Sequence, residues 1–168
     1  ILLGYMGSGK STIAKKLSET IHLNAFDLDE IIEKSQKKSI TELFSEGGEV
    51  SFRKLEHHTL VELINDSKPF VLSLGGGTPC YANNHLLLQR EGVISIYLKT
   101  SIDELYNRLQ NETQKRPLLT SKEPDDLKEF IAKHLFERSF FYNQAKHTVS
   151  TDGKSVDEIV LEIQKLLV

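Results

Sequence analysis

Eight residues near the start of the chain, Gly4-Tyr5-Met6-Gly7-Ser8-Gly9-Lys10-Ser11, satisfy the pattern GxxxxGK[ST]. Glycines at 4, 7 and 9 let the backbone curl so that the N–H groups of Gly7, Ser8, Gly9, Lys10, Ser11 and Thr12 turn inward toward phosphate oxygens. A helix starting there adds its positive dipole end. Lys10 can then reach the β- and γ-phosphates, and Ser11 can offer a hydroxyl to Mg²⁺. Further on, Asp27 and Asp29 are separated by one residue. At a strand exit, that spacing lets one carboxylate face a metal and the other a substrate hydroxyl. Capping of the next helix by one of them is the competing reading. Arg53 stands in Ser51-Phe52-Arg53-Lys54-Leu55-Glu56, with Glu56 at i+3 able to hold it. Its planar fork suits a substrate carboxylate, although alone it would read as a solvated ion pair.

The elements that must carry these groups alternate. Ile1 to Leu3 form the end of a buried strand, and Ile13, Ala14, Leu17 and Ile21 give a helix with one inward face. Asn24 to Asp27 is a second strand, and Ile31 and Ile32 begin another helix. Ser39 and Glu42 have capping-box spacing and start a helix that stops at Gly47-Gly48, before a longer one over Glu49 to Ile64. Phe70 to Leu74 is a third strand running into Gly75-Gly76-Gly77. A helix over Asn83 to Glu91 and a strand over Val93 to Leu98 follow. Ser101 with Glu104 opens a helix through Leu109, and residues 111–124 form a polar, proline-bearing loop. Asp125 to Tyr142 is helical, Thr148 to Ser150 a last strand, and Ser155 with Glu158 caps a final helix. This predicts an α/β fold: a five-stranded parallel sheet in a three-layer α/β/α arrangement, with ligands beyond the carboxyl ends of the strands.

A chain of 168 residues with 39% hydrophobic content suits a single domain, with a helical segment at 28–64 and the loop at 111–124 as its specialised parts. A formal charge of -3, with lysines spread among acids, gives no electrostatic reason for nucleic-acid binding. Cys80 is the one cysteine, suited to a reducing cytosol and read as a buried filler. No run approaches a membrane span, so the expectation is a cytoplasmic protein, a monomer without a membrane partner. The chain opens inside a strand without Met, which predicts residues ahead of Ile1. The six histidines, His57-His58 included, lack metal-ligand spacing and read as surface or structural groups.

The set formed by the first motif, Asp27-Leu28-Asp29, Phe52-Arg53-Lys54-Leu55-Glu56, Ser73-Leu74-Gly75-Gly76-Gly77 and Arg116-Pro117-Leu118-Leu119 resembles the shikimate kinase family, in that order and over almost the whole chain. The resemblance implies a P-loop kinase that uses ATP and Mg²⁺ to phosphorylate the 3-hydroxyl of shikimate, a step toward chorismate and the aromatic amino acids. It implies that Lys10 binds ATP phosphates and that Ser11 ligates Mg²⁺, with Asp27 reaching the ion through water. It assigns Asp29 to the ring hydroxyls and to the role of base, Arg53 and Arg138 to the carboxylate, and Gly75, Gly76 and Gly77 to the ring. Arg116 would belong to a lid over the transferring group, and Arg108 is similar to an adenine-stacking arginine. Phe44 and Phe52 read as core residues, and the resemblance would let them line the substrate pocket. The third strand ends in Ser73 without a Walker-type Asp, which leaves the metal to Ser11 and Asp27. Another small-acceptor kinase and an ATP-binding regulatory module are the alternative functions.

Overall fold

The computed structural model describes residues 1–66, 68–110 and 124–167. Strands β1 (Leu2–Leu3), β2 (Asn24–Asp27), β3 (Phe70–Ser73), β4 (Ile96–Lys99) and β5 (His147–Ser150) form one sheet in the order β2-β3-β1-β4-β5. Every pairing is parallel. Helices α1 (Lys10–Ile21), α2 (Leu28–Gln36), α3 (Ile40–Ile64), α4 (Asn84–Leu87), α5 (Ile102–Leu109), α6 (Pro124–Tyr142) and α7 (Val156–Leu166) cover it.

The alternation of side chains along the inner strands β1, β3 and β4 sorts the core into two halves, with Val149 of β5 joining one of them. Leu2, Val71, Ile96, Leu98 and Val149 pack with Ile13 and Leu17 of α1 and Ile159, Val160 and Ile163 of α7. Leu3, Leu72 and Tyr97 point the other way, into Leu28, Ile32, Leu60, Leu105, Ile131 and Tyr142. Both faces of the sheet's central strands are therefore buried, while the edge strand β2 stays exposed or half-buried, and the three-layer expectation holds. Among the described residues, no helix is long and apolar enough to cross a membrane.

Local signals fixed several helix ends. Ser39 with Glu42 and Ser155 with Glu158 form complete capping boxes. Ser101 accepts from the Glu104 N–H, but the Glu104 carboxylate turns to Arg108 Nε at 2.8 Å, so that box is half made. Three expectations need correction. The break at Gly47-Gly48 is a kink inside α3 and not an end: Gly48 alone leaves the helix at φ 71°, ψ 174°, a conformation open to glycine. The helix over Asn83 to Glu91 shrinks to α4, preceded by a 3₁₀ turn at Thr78–Cys80. Leu86, Leu87 and Leu88 are consecutive, which defines no helical face, and Ser95 Oγ draws the Leu88 carbonyl into a turn at 2.8 Å. The strand expected from Val93 begins at Ile96, because Ile94 lies outside the ladder and is exposed. Of the proposed lid, residues 111–123 lie outside the described residues, and Pro124 already opens α6.

Candidate active site

The loop between β1 and α1 leaves the central strand at the carboxyl edge of the sheet, where β1 separates β3 from β4. That position is a switch point, and a cleft of about 490 Å³ opens there. It is lined by the loop, by Asp27, Asp29 and Arg108, and by Ser73 to Gly76.

Gly9 caps α1 with φ 91°, a left-handed conformation that frees the following N–H groups toward the cleft. Lys10 Nζ donates to the carbonyls of Gly4 at 3.0 Å and Tyr5 at 2.9 Å. The Ser8 N–H closes a turn onto the Tyr5 carbonyl at 3.2 Å, and the Ser8 side chain is buried. Arg108 Nη1 donates to the Gly7 carbonyl at 3.1 Å while Glu104 holds its Nε, so the guanidinium stands at the rim beside the loop. Thr12 also lines the cleft.

Register places the acids. Asp27 pairs with Ser73 at the ends of β2 and β3. Ser11 Oγ donates to Asp27 Oδ2 at 2.9 Å and stands 3.4 Å from Ser73 Oγ. These three hard oxygen side chains suit Mg²⁺. Asp27 Oδ1 also accepts the Asp29 N–H at 3.1 Å, so the two readings of this acid coexist: it caps α2 and faces Ser11. Burial pushes the Asp29 carboxyl up to about 6, with Asp27 and Glu56 adding to the rise and Lys10 opposing it.

Beyond the acids, each position of the triple glycine meets at least one functional side chain. A Cβ on Gly75 would stand 3.3 Å from Asp29 Oδ1, on Gly76 3.6 Å from Arg138 Nη1, and on Gly77 2.8 Å from Arg53 Nη2. Arg53 is no solvated surface group. Its Nη1 donates to Glu56 Oε2 at 2.9 Å, Glu49 lies 3.5 Å from Nε, and its Cζ lies 4.1 Å from the Tyr81 ring centroid and 5.3 Å from that of Phe52. Phe44 stacks on Phe52 with ring centroids 4.5 Å apart, so both phenylalanines pack beneath the guanidinium. Arg138 reaches the same loop from α6, with its Cζ 5.7 Å from the Tyr5 ring centroid. The Tyr142 hydroxyl donates to the Gly76 carbonyl at 2.6 Å.

Sequence reasoning missed Tyr81, Tyr142, Thr78 and Asn84, whose partners lie far along the chain. Arg116 lies outside the described residues. Cys80 is half-buried beside the loop, and burial pushes its thiol up to about 11, which suits a filler. His57 Nδ1 bonds Asn84 Oδ1 at 2.7 Å, a structural role.

The chain is similar to known proteins of one family. A model of the shikimate kinase family matches residues 6–168. A shikimate kinase of Flavobacterium johnsoniae is 54% identical over 99% of this chain and 97% of its own length. The crystal structure of a shikimate kinase from Bacteroides thetaiotaomicron superposes with a TM-score of 0.91 at 36% identity, covering 99% of this chain and 96% of that one. One from Acinetobacter baumannii, solved in complex with shikimate, superposes with a TM-score of 0.86 at 30% identity over 99% and 90%.

Proposed function

The chain belongs to the shikimate kinase family, and from that premise we propose how its own residues transfer a phosphoryl group from ATP to the 3-hydroxyl of shikimate. The enzyme is a small-molecule kinase of the route to chorismate and the aromatic amino acids.

The N–H groups of Gly7 to Thr12 cradle the ATP phosphates, and Lys10 moves its ammonium from the loop carbonyls onto the β- and γ-oxygens. Arg108 flanks the adenine. Ser11, with Asp27 behind it, holds Mg²⁺, whose chemistry is neutralisation of phosphate charge. Arg53 and Arg138 bind the shikimate carboxylate, which anchors the ring against Gly75, Gly76 and Gly77. Asp29 hydrogen-bonds the ring hydroxyls and takes the proton of the 3-hydroxyl as its oxygen bonds to the γ-phosphorus and the bond to ADP breaks. With its carboxyl near 6, Asp29 is ionised at neutral pH yet basic enough to accept that proton. To Arg116, outside the described residues, this reading gives the role of adding positive charge to the transferring group. The helical segment 28–64 serves as the substrate-binding part of a single domain.

One observation carries the reading: two arginines from different helices meet adjacent glycines of a loop whose first glycine abuts Asp29. That supports an acceptor with an anionic group set apart from its reacting hydroxyl. Shikimate and ATP are the small-molecule partners, and the enzyme works as a cytoplasmic monomer. Arg53→Ala tests the assignment: the KM for shikimate should rise by roughly 10- to 100-fold, since a buried charged contact is lost. An unchanged KM would contradict it.

A further inference from the structure

The turn after the triple glycine reads Thr78-Pro79-Cys80, and both Thr78 and Pro79 are buried. Thr78 closes the loop through its N–H, which donates to the Gly75 carbonyl at 3.1 Å. Its hydroxyl has a second task. Thr78 Oγ1 donates to Glu56 Oε1 at 2.6 Å, while Arg53 Nη1 donates to Glu56 Oε2. Glu56 is 1% exposed, so both carboxylate oxygens depend on protein donors. Two donors on two oxygens fix the carboxylate plane, and with it the plane of the guanidinium.

Thr78 is itself pinned. Asn84, fully buried, donates from Nδ2 to the Thr78 carbonyl at 2.9 Å, and its Oδ1 lies 2.7 Å from His57 Nδ1. Because the amide nitrogen is committed to Thr78, Oδ1 must accept, and His57 carries the proton on Nδ1. The bonds close a ring: Arg53, Glu56 and His57 come from α3, Thr78 and Asn84 from the segment after β3.

We propose that Thr78 is a positioning residue for substrate binding, which acts through Glu56 to orient Arg53 toward the shikimate carboxylate. The ring ties α3 to the glycine loop, so Arg53 and Gly75 to Gly77 hold one mutual geometry. This inference rests on the assignment of Arg53 to that carboxylate.

Thr78→Val keeps the shape and removes the donor, leaving a buried carboxylate oxygen unpaired. The KM for shikimate should rise about tenfold, the range expected for an orphaned charged acceptor. The KM for ATP should stay at its wild-type value. Thr78→Ser, which keeps the hydroxyl, should restore shikimate binding. With the methyl ester of shikimate, which lacks the charge, Thr78→Val and the unaltered enzyme should have equal kcat/KM. Should Thr78→Val fail to fold, Thr78→Ala carries the same expectations. A wild-type shikimate KM in the variant, a parallel rise in both KM values, or no rescue by serine would overturn the proposal. Arg53→Ala measured alongside separates the causes: a raised shikimate KM there with none in Thr78→Val defeats the Thr78 role alone, whereas no change in either defeats the Arg53 assignment beneath it.

Discussion

Ser11 Oγ donates a hydrogen bond to Asp27 Oδ2 across 2.9 Å, joining the first turn of α1 to the last residue of β2. The same Asp27 caps α2 through its other oxygen. Asparagine caps helices about as well as aspartate, so Asp27→Asn should leave the melting temperature nearly unchanged. On the proposed metal site, loss of the Asp27 charge should raise the Mg²⁺ concentration for half-maximal activity by about 10- to 100-fold. A Mg²⁺ titration paired with a thermal melt checks both halves.

As the proposed base, Asp29 should give the activity an acid limb near pH 6, because a base must be ionised to accept a proton. The same raised value acts on stability with a definite sign. Between its ordinary value of 3.8 and about 6, the native chain holds a proton that the unfolded chain has released. Stability therefore falls as pH rises through that window, by up to about 2–3 kcal/mol, and stays reduced above it. Asp29→Asn should thus be more stable than the unaltered enzyme at pH 7.5, while kcat falls about 10²- to 10⁴-fold. Urea unfolding at pH 4 and pH 7.5, with the rate at each pH, tests this pairing.

Gly76 and Gly77 are neighbours with different tolerance. A methyl on Gly77 would stand 2.8 Å from Arg53 Nη2, the mobile end of a long side chain. Gly77→Ala should therefore fold but displace the guanidinium, raising the shikimate KM about tenfold or more, as expected when a bidentate site is disturbed. The nearest atoms to a methyl on Gly76 stand at 3.4 to 3.6 Å, ordinary contact, so Gly76→Ala should cost less in KM. Side-by-side shikimate saturation curves decide the order.

Arg108 should affect only the nucleotide. Arg108→Ala removes a cation beside the loop, and the KM for ATP should rise about 3- to 30-fold, in line with loss of a stacked cation. The KM for shikimate should not move. Initial-rate matrices over both substrates read the two effects apart.

The parts of this protein legible in its sequence are those written locally. The phosphate-binding loop, the Asp27/Asp29 pair, Arg53 with Glu56 and the capping boxes each lie within a few residues, where spacing carries the geometry. Continuously apolar strands alternating with helices imply the two-faced parallel sheet. What escaped notice depends on contacts across the chain. Tyr142 meets Gly76 from 66 positions away, Thr78 meets Glu56 from 22, and Asn84 meets His57 from 27. None has a local pattern. Arg108 illustrates the opposite limit, since a real local competitor for Glu104 undid half of an expected capping box.

The most direct test follows ADP release and acceptor mass together, with ATP and Mg²⁺, in the presence and absence of shikimate. ADP should form only when shikimate is present, in step with a product heavier by one phosphoryl group and esterified at the 3-oxygen. Intact ATP binding with neither shikimate-dependent ADP nor phosphorylated shikimate would contradict the account.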